Sequence, residues 1–216
     1  MSVVDRLKMS LGLPKQIKPR RAVKGVIARN YYVDGNLFIE RFDILNSSND
    51  SMQNKQFRAK AMVDLCMSLE CSMKSLVVSL SHDSKTPKRL MKDLKNLSHH
   101  HHDKLFDKTT KLSKNRFTLP KLSQSKLNEL KKYGVGARYS HDIWAIQTSS
   151  AYSVSDDLIE ATIDNPIWMN ELRNIAVEWN NAASNCYDKY LSKHCIISGN
   201  DHKRFERALK KFKVGK

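Results

Sequence analysis

The sequence predicts an all-α protein, an antiparallel up-and-down helical bundle with basic N- and C-terminal extensions. Three observations carry that expectation. In Phe57–Leu80 the apolar residues Met62, Leu65, Cys66, Leu69, Met73, Leu76, Val77 and Leu80 recur at gaps of three and four. That is the period of a helix with one buried stripe. Trp168–Leu191 repeats the pattern through Trp168, Leu172, Ile175, Ala176, Trp179, Ala183, Cys186, Tyr187 and Tyr190. Gly and Pro are scarce, 7 and 5 among 216 residues, which suits helices. The two long faces are expected to bury each other in an antiparallel pair. Arg58, Lys60, Asp64, Glu70 and Lys74 then fall on the far side of the first helix.

The remaining elements follow in chain order. Residues 2–11 fit a short amphipathic helix through Val4, Leu7 and Leu11, stopped by Gly12 and Pro14. Lys15–Gly25 is basic and reads as an exposed arm. Val26–Leu45 reads as a helix broken at Asp34-Gly35 or as a hairpin around that dipeptide. Lys88–Leu97 is a short helix with Leu90, Met91, Leu94 and Leu97 inward. Ser98–Lys108 holds a run of histidines, and Thr109–Pro120 is basic and irregular. Ser123 or Ser125 caps a helix to Tyr133, with Gly134 as its stop. Ser155 caps an acidic helix, and Pro166 opens the second long one. Asp201–Lys213 is a last basic helix. The expected divisions are 1–54 (basic arm and short helices), 55–199 (bundle) and 200–216 (basic helix). Gly134-Val135-Gly136 has no preceding strand and is too short for a phosphate loop.

Charge narrows the partner. The formal net charge is +16, which favours a polyanion. The surplus is segregated: residues 1–30 hold eight basic residues against one acid, 84–132 fourteen against four, and 200–216 seven against two. Residues 151–180 hold six acids against one base. The pattern suggests a basic face and an acidic one. The expected nucleic-acid contacts are Arg20, Arg21, Lys24, Arg29, Lys88, Arg89, Lys92, Lys95, Lys203, Arg204, Arg207, Lys210 and Lys211. Side chains of this type grip phosphates without reading sequence. Tyr31, Tyr32 and Tyr133 are either base-stacking residues or buried ones. The acidic segment 156–164 (Asp156, Asp157, Glu160, Asp164) offers a surface for a basic protein partner. No stretch is long and apolar enough for a bilayer. Cys66, Cys71, Cys186 and Cys195 form no CxxC pair, so no membrane partner and a cytoplasmic setting are expected.

His99–His102 with Asp103 is the loudest local cluster. Imidazoles and an adjacent carboxylate suit a transition metal. Consecutive helical residues diverge, however, so the favoured reading is a helix start where one His packs. No cofactor and no metal are expected, with His102 and Asp103 the nearest candidates. His82, His102-Asp103 and Asp142 resemble the HD-domain metal phosphohydrolases, which would imply two metals activating water.

A second resemblance covers residues 55–192. Glu70-Cys71-Ser72-Met73-Lys74 on a long helix, His102-Asp103-Lys104-Leu105 at a later helix start, Arg138-Tyr139 and the closing helix Trp168–Leu191 together resemble HEPN domains. That resemblance implies an up-and-down bundle, RNA ahead of DNA as ligand, a homodimer, and a place in prokaryotic or viral defence. Ribonuclease members carry an Arg and a His with four to six residues between them, and no Arg here has that spacing. The nearest pair is Arg138 and His141. In a degenerate site His141 would be the base for a ribose 2′-OH and Arg138 would stabilise the phosphorane. Binding without catalysis is the expected role.

Overall fold

The computed structural model describes residues 19–48, 53–97, 102–133 and 156–192. Those residues form an all-α helical bundle. Its helices are α1 (Pro19–Ser47), α2 (Lys55–Leu80), α3 (Pro87–Leu97), α4 (His102–Ser113), α5 (Gln124–Tyr133), α6 (Asp156–Ala161) and α7 (Pro166–Tyr190). Local chemistry sets the boundaries. Asn54 caps α2 by accepting from the Gln56 N–H at 2.8 Å. Ser123 caps α5, its hydroxyl accepting from the Lys126 N–H at 3.2 Å. Asn165 caps α7 ahead of Pro166. Asn115, in the left-handed region at φ 61°, turns the chain after α4.

α2 is the axis of the fold. Its apolar stripe meets α7 and α4 through Met62, Leu65, Leu69, Met73, Leu76 and Leu80, all fully buried beside Trp179 and Leu105. Each such side chain contributes about 1.5–3 kcal/mol. The charged residues expected on a solvent face of α2 are mostly inside. Asp64 and Glu70 are buried, and only Lys60 of the five is exposed. Burial is tolerated because the charges are paired. Arg41 forks onto Asp64, Arg58 meets Asp164 at 2.8 Å, and Lys74 meets Glu70 at 2.5 Å.

α1 provides the cover on that side. It is one 29-residue helix, unbroken at Asp34-Gly35. Residues 19–25, expected in an exposed arm, are its first turns. Ala28, Gly35 and Phe42 face the core. Opposite them α2 presents a stripe of small polar residues, Ser68, Ser72, Ser75 and Ser79, all buried. The Ser75 hydroxyl donates to the Ala28 carbonyl at 2.8 Å, and Ser72 donates to Asn180 of α7 at 3.2 Å.

Helix direction corrects one expectation. α2 and α7 are neighbours but run parallel: Arg58 meets Asp164 at one end, and Ser72 meets Asn180 further along. α1 is antiparallel to both. Lys24 reaches Ser81 while Arg41 reaches Asp64, and Asp43 binds Arg173 while Tyr32 packs on Tyr187. Periodicity reveals which face a helix buries but carries no information on direction. No helix among the described residues is long and apolar enough to cross a membrane.

Candidate nucleic-acid interface

The expected cationic residues separate into three groups. Lys24 is buried, only 1% exposed, and is not a phosphate contact. Its ammonium donates to the carbonyls of Ser81 at 2.8 Å and His82 at 3.0 Å. The end of α2 presents carbonyl oxygens with partial negative charge, and a cation on an antiparallel neighbour satisfies them. Burial lowers the Lys24 pKa, Asp83 opposes this, and Arg21, Lys85 and Arg116 add to the lowering. Arg116 serves the same helix end by donating to the Leu80 carbonyl at 2.7 Å. Arg21 is tied to Asp83, Nε to carboxylate at 2.7 Å. The side chain of Arg20 and all of Lys203, Arg204, Arg207, Lys210 and Lys211 lie outside the described residues.

Arg29, Lys88, Arg89, Lys92 and Lys95 are exposed. Four of them sit on α3, where Leu90 and Leu94 are fully buried. Lys88, Lys92 and Lys95, spaced by four and three, project from the opposite side of the helix. Lys85 flanks them and holds Asp93 at 2.7 Å. That bond, with the charges of Lys85, Arg89 and Lys108, keeps the Asp93 carboxyl below the usual carboxylate range. Lys108 brings in α4. There Leu105 and Thr109 are buried, and Lys104 and Lys111 are exposed on the other side. The sequence reading missed Lys104, Lys108 and Lys111, although their gaps of four and three were visible.

A groove of about 550 Å³ opens at the end of the bundle, lined by Asn115, Arg116, Phe117, Thr118, Asn185 and Lys189. Its wall is fixed by the Arg116 carbonyl, which accepts from the Tyr190 hydroxyl at 2.7 Å and from Lys189 at 3.4 Å. Phe117, partly buried on this wall, supplies an aromatic face beside cations and amides. Of the three tyrosines, Tyr133 is buried and Tyr31 and Tyr32 are half-buried. Tyr31 lies under the Lys74 ammonium, Tyr32 packs on Tyr187, and the buried Tyr133 bonds Thr162.

The other candidates fare differently. His102 is buried at the start of α4, its Nε2 3.0 Å from the Cys66 carbonyl. Asp103 pairs with Lys131 at 3.2 Å. His82 bonds Ser84 at the far end of α2. Cys66 and Ser81 are separated by about 22 Å of helix, so His82 and His102 are not brought together. The HD-type assignment is overturned at those two residues. Among the described residues no group of three or more His, Cys, Asp or Glu gathers for a metal. Arg138, His141, His99–His101 and Asp142 lie outside the described residues. On the acidic segment, Asp157 and Glu160 are exposed, whereas Asp164 is held by Arg58. Glu70 and Lys74, the helix step that resembles HEPN domains, form a nearly buried ion pair. In comparisons with family models, curated proteins and solved structures, none matches this chain.

Proposed function

We propose that this chain binds nucleic acid, RNA ahead of DNA, as a non-catalytic component of a nucleoprotein assembly. The observation that carries the reading is the exposed stripe Lys88–Lys92–Lys95, with Arg89 beside it. A helix that buries Leu90 and Leu94 and turns its cations outward offers phosphate contacts at no cost to its packing. Lys104, Lys108 and Lys111 on α4 widen the positive surface, and Lys189 with Phe117 at the groove offers a separate contact. These contacts grip the sugar-phosphate backbone and do not select sequence. The preference for RNA, a role in defence and a cytoplasmic location rest on the HEPN resemblance and on the free thiols of Cys66, Cys71 and Cys186. The acidic residues Asp157 and Glu160 are proposed as a separate contact for a basic protein partner.

The test is filter binding of single-stranded RNA and duplex DNA to the full chain and to a Lys88→Glu, Lys92→Glu, Lys95→Glu variant. The variant is expected to lose at least about tenfold in affinity at low salt while remaining helical. Equal affinity of the two proteins would remove α3 from the interface. Absence of binding by the unaltered chain would refute the function.

A further inference from the structure

α1 has a second apolar side. Opposite Ala28, Gly35 and Phe42, it carries Val23, Val26, Val33, Leu37 and Ile44, all exposed, with Leu37 at 54% and Ile44 at 70%. With Asn30 and Glu40, also exposed, these positions alternate gaps of three and four along the helix: 23, 26, 30, 33, 37, 40, 44. A strict repeat of this kind is the seam of a two-helix coiled coil. A row of five exposed apolar side chains on one helix is also more than scattered surface hydrophobics.

We propose that the chain forms a symmetric dimer through this outer face of α1. The occupant is a second copy because the seam is complementary to itself. When two α1 helices are laid antiparallel about a two-fold axis level with Gly35, each residue meets the one equally far from Gly35 on the other copy. Val33 of one copy then meets Leu37 of the other, and Val26 meets Ile44. The polar positions coincide as well: Asn30 meets Glu40, an amide donor against a carboxylate. Within each chain the Asn36 amide already holds one Glu40 oxygen at 2.6 Å, so the carboxylate is positioned for a second donor. A parallel arrangement would instead set the two Glu40 carboxylates against each other. The antiparallel register is the isologous contact of a closed dimer.

Sedimentation of the full chain tests the dimer. The unaltered protein is expected at twice the mass of one chain at micromolar concentration. Leu37→Glu with Ile44→Glu should weaken association on the order of a hundredfold or more, with unchanged helicity by circular dichroism. Orientation is read by disulfide trapping in a Cys195→Ser background. A mixture of Val26→Cys and Ile44→Cys chains should cross-link to each other, and neither should cross-link to itself. A monomeric unaltered chain, or an unchanged mass in the double variant, would overturn the proposal. Self-linking of Val26→Cys would overturn the antiparallel register. Because the altered residues lie apart from the α3 stripe, nucleic-acid binding can fail while dimerisation holds, and the reverse.

Discussion

Single side chains decide what this molecule can do with its charges. Lys24 looks like any member of a basic run, yet it closes the end of α2. Lys24→Met leaves the Ser81 and His82 carbonyls without their donor. The expected cost is about 2 kcal/mol in a urea titration, with nucleic-acid affinity unchanged. His102 is a second such case. A carbonyl can only accept, so the Nε2 that faces Cys66 carries the proton, and the buried Nδ1 has no partner. Burial lowers the His102 pKa below 6.5, with Lys74 in support, against the Cys66 hydrogen bond and the charges of Glu70 and Asp103. The unfolded chain therefore takes up this proton first as pH falls. Stability contributed by neutral His102 is present above about pH 6.5 and declines below it, at a slope approaching 1.4 kcal/mol per pH unit. Unfolding midpoints at pH 7.5 and 5 should separate more in the unaltered chain than in His102→Gln; equal separations would contradict the assignment. Burial also pushes the thiols of Cys66, Cys71 and Cys186 up to about 12. They are protonated at neutral pH and unsuited to nucleophilic chemistry.

At the scale of elements, the decisive contact is the approach of α1 to α2 and α7. A Cβ on Gly35 would stand 2.7 Å from the Asn180 Oδ1 and 3.3 Å from the Ser72 Oγ. An exposed helical glycine gains about 1 kcal/mol when replaced by alanine. Here Gly35→Val must push α1 off or displace Asn180 from Ser72, and the expected loss is about 3 kcal/mol in thermal or urea unfolding. A neutral result would mean that the helices are not this close. The same contact explains what could be read from the sequence. α2, α3 and α7 were legible because each carries an apolar stripe at helical spacing. α1 was not, because it is apolar on both sides, Ala28–Gly35–Phe42 within and Val23–Ile44 without, so no single stripe stands out. Its Asp34-Gly35 step imitates a turn. Ser68, Ser72, Ser75 and Ser79 were passed over because small polar residues do not register as a core face, although their spacing matches a close helix contact. Asp64 and Glu70 misled in the other direction, because their partners Arg41 and Lys74 make burial tolerable.

For the molecule as a whole, the question is whether the net charge of +16 acts as an organised surface. Not every cation belongs to that surface: Lys24 is buried on carbonyls, and Arg41, Arg58, Lys74 and Arg173 are each paired with a carboxylate of the same chain. The α3 stripe was legible as a cluster in the sequence, whereas the approach of α4 to it, shown by the charge of Lys108 acting on Asp93, needed the fold. The most direct measurement is the dependence of the RNA dissociation constant on potassium chloride concentration for the unaltered chain and for Lys88→Glu, Lys92→Glu, Lys95→Glu. Counterion release predicts a linear decline of log affinity with log salt for the unaltered chain, and a slope smaller by about three in the variant. A slope near zero, or the same slope in both proteins, would contradict a phosphate-binding surface on α3.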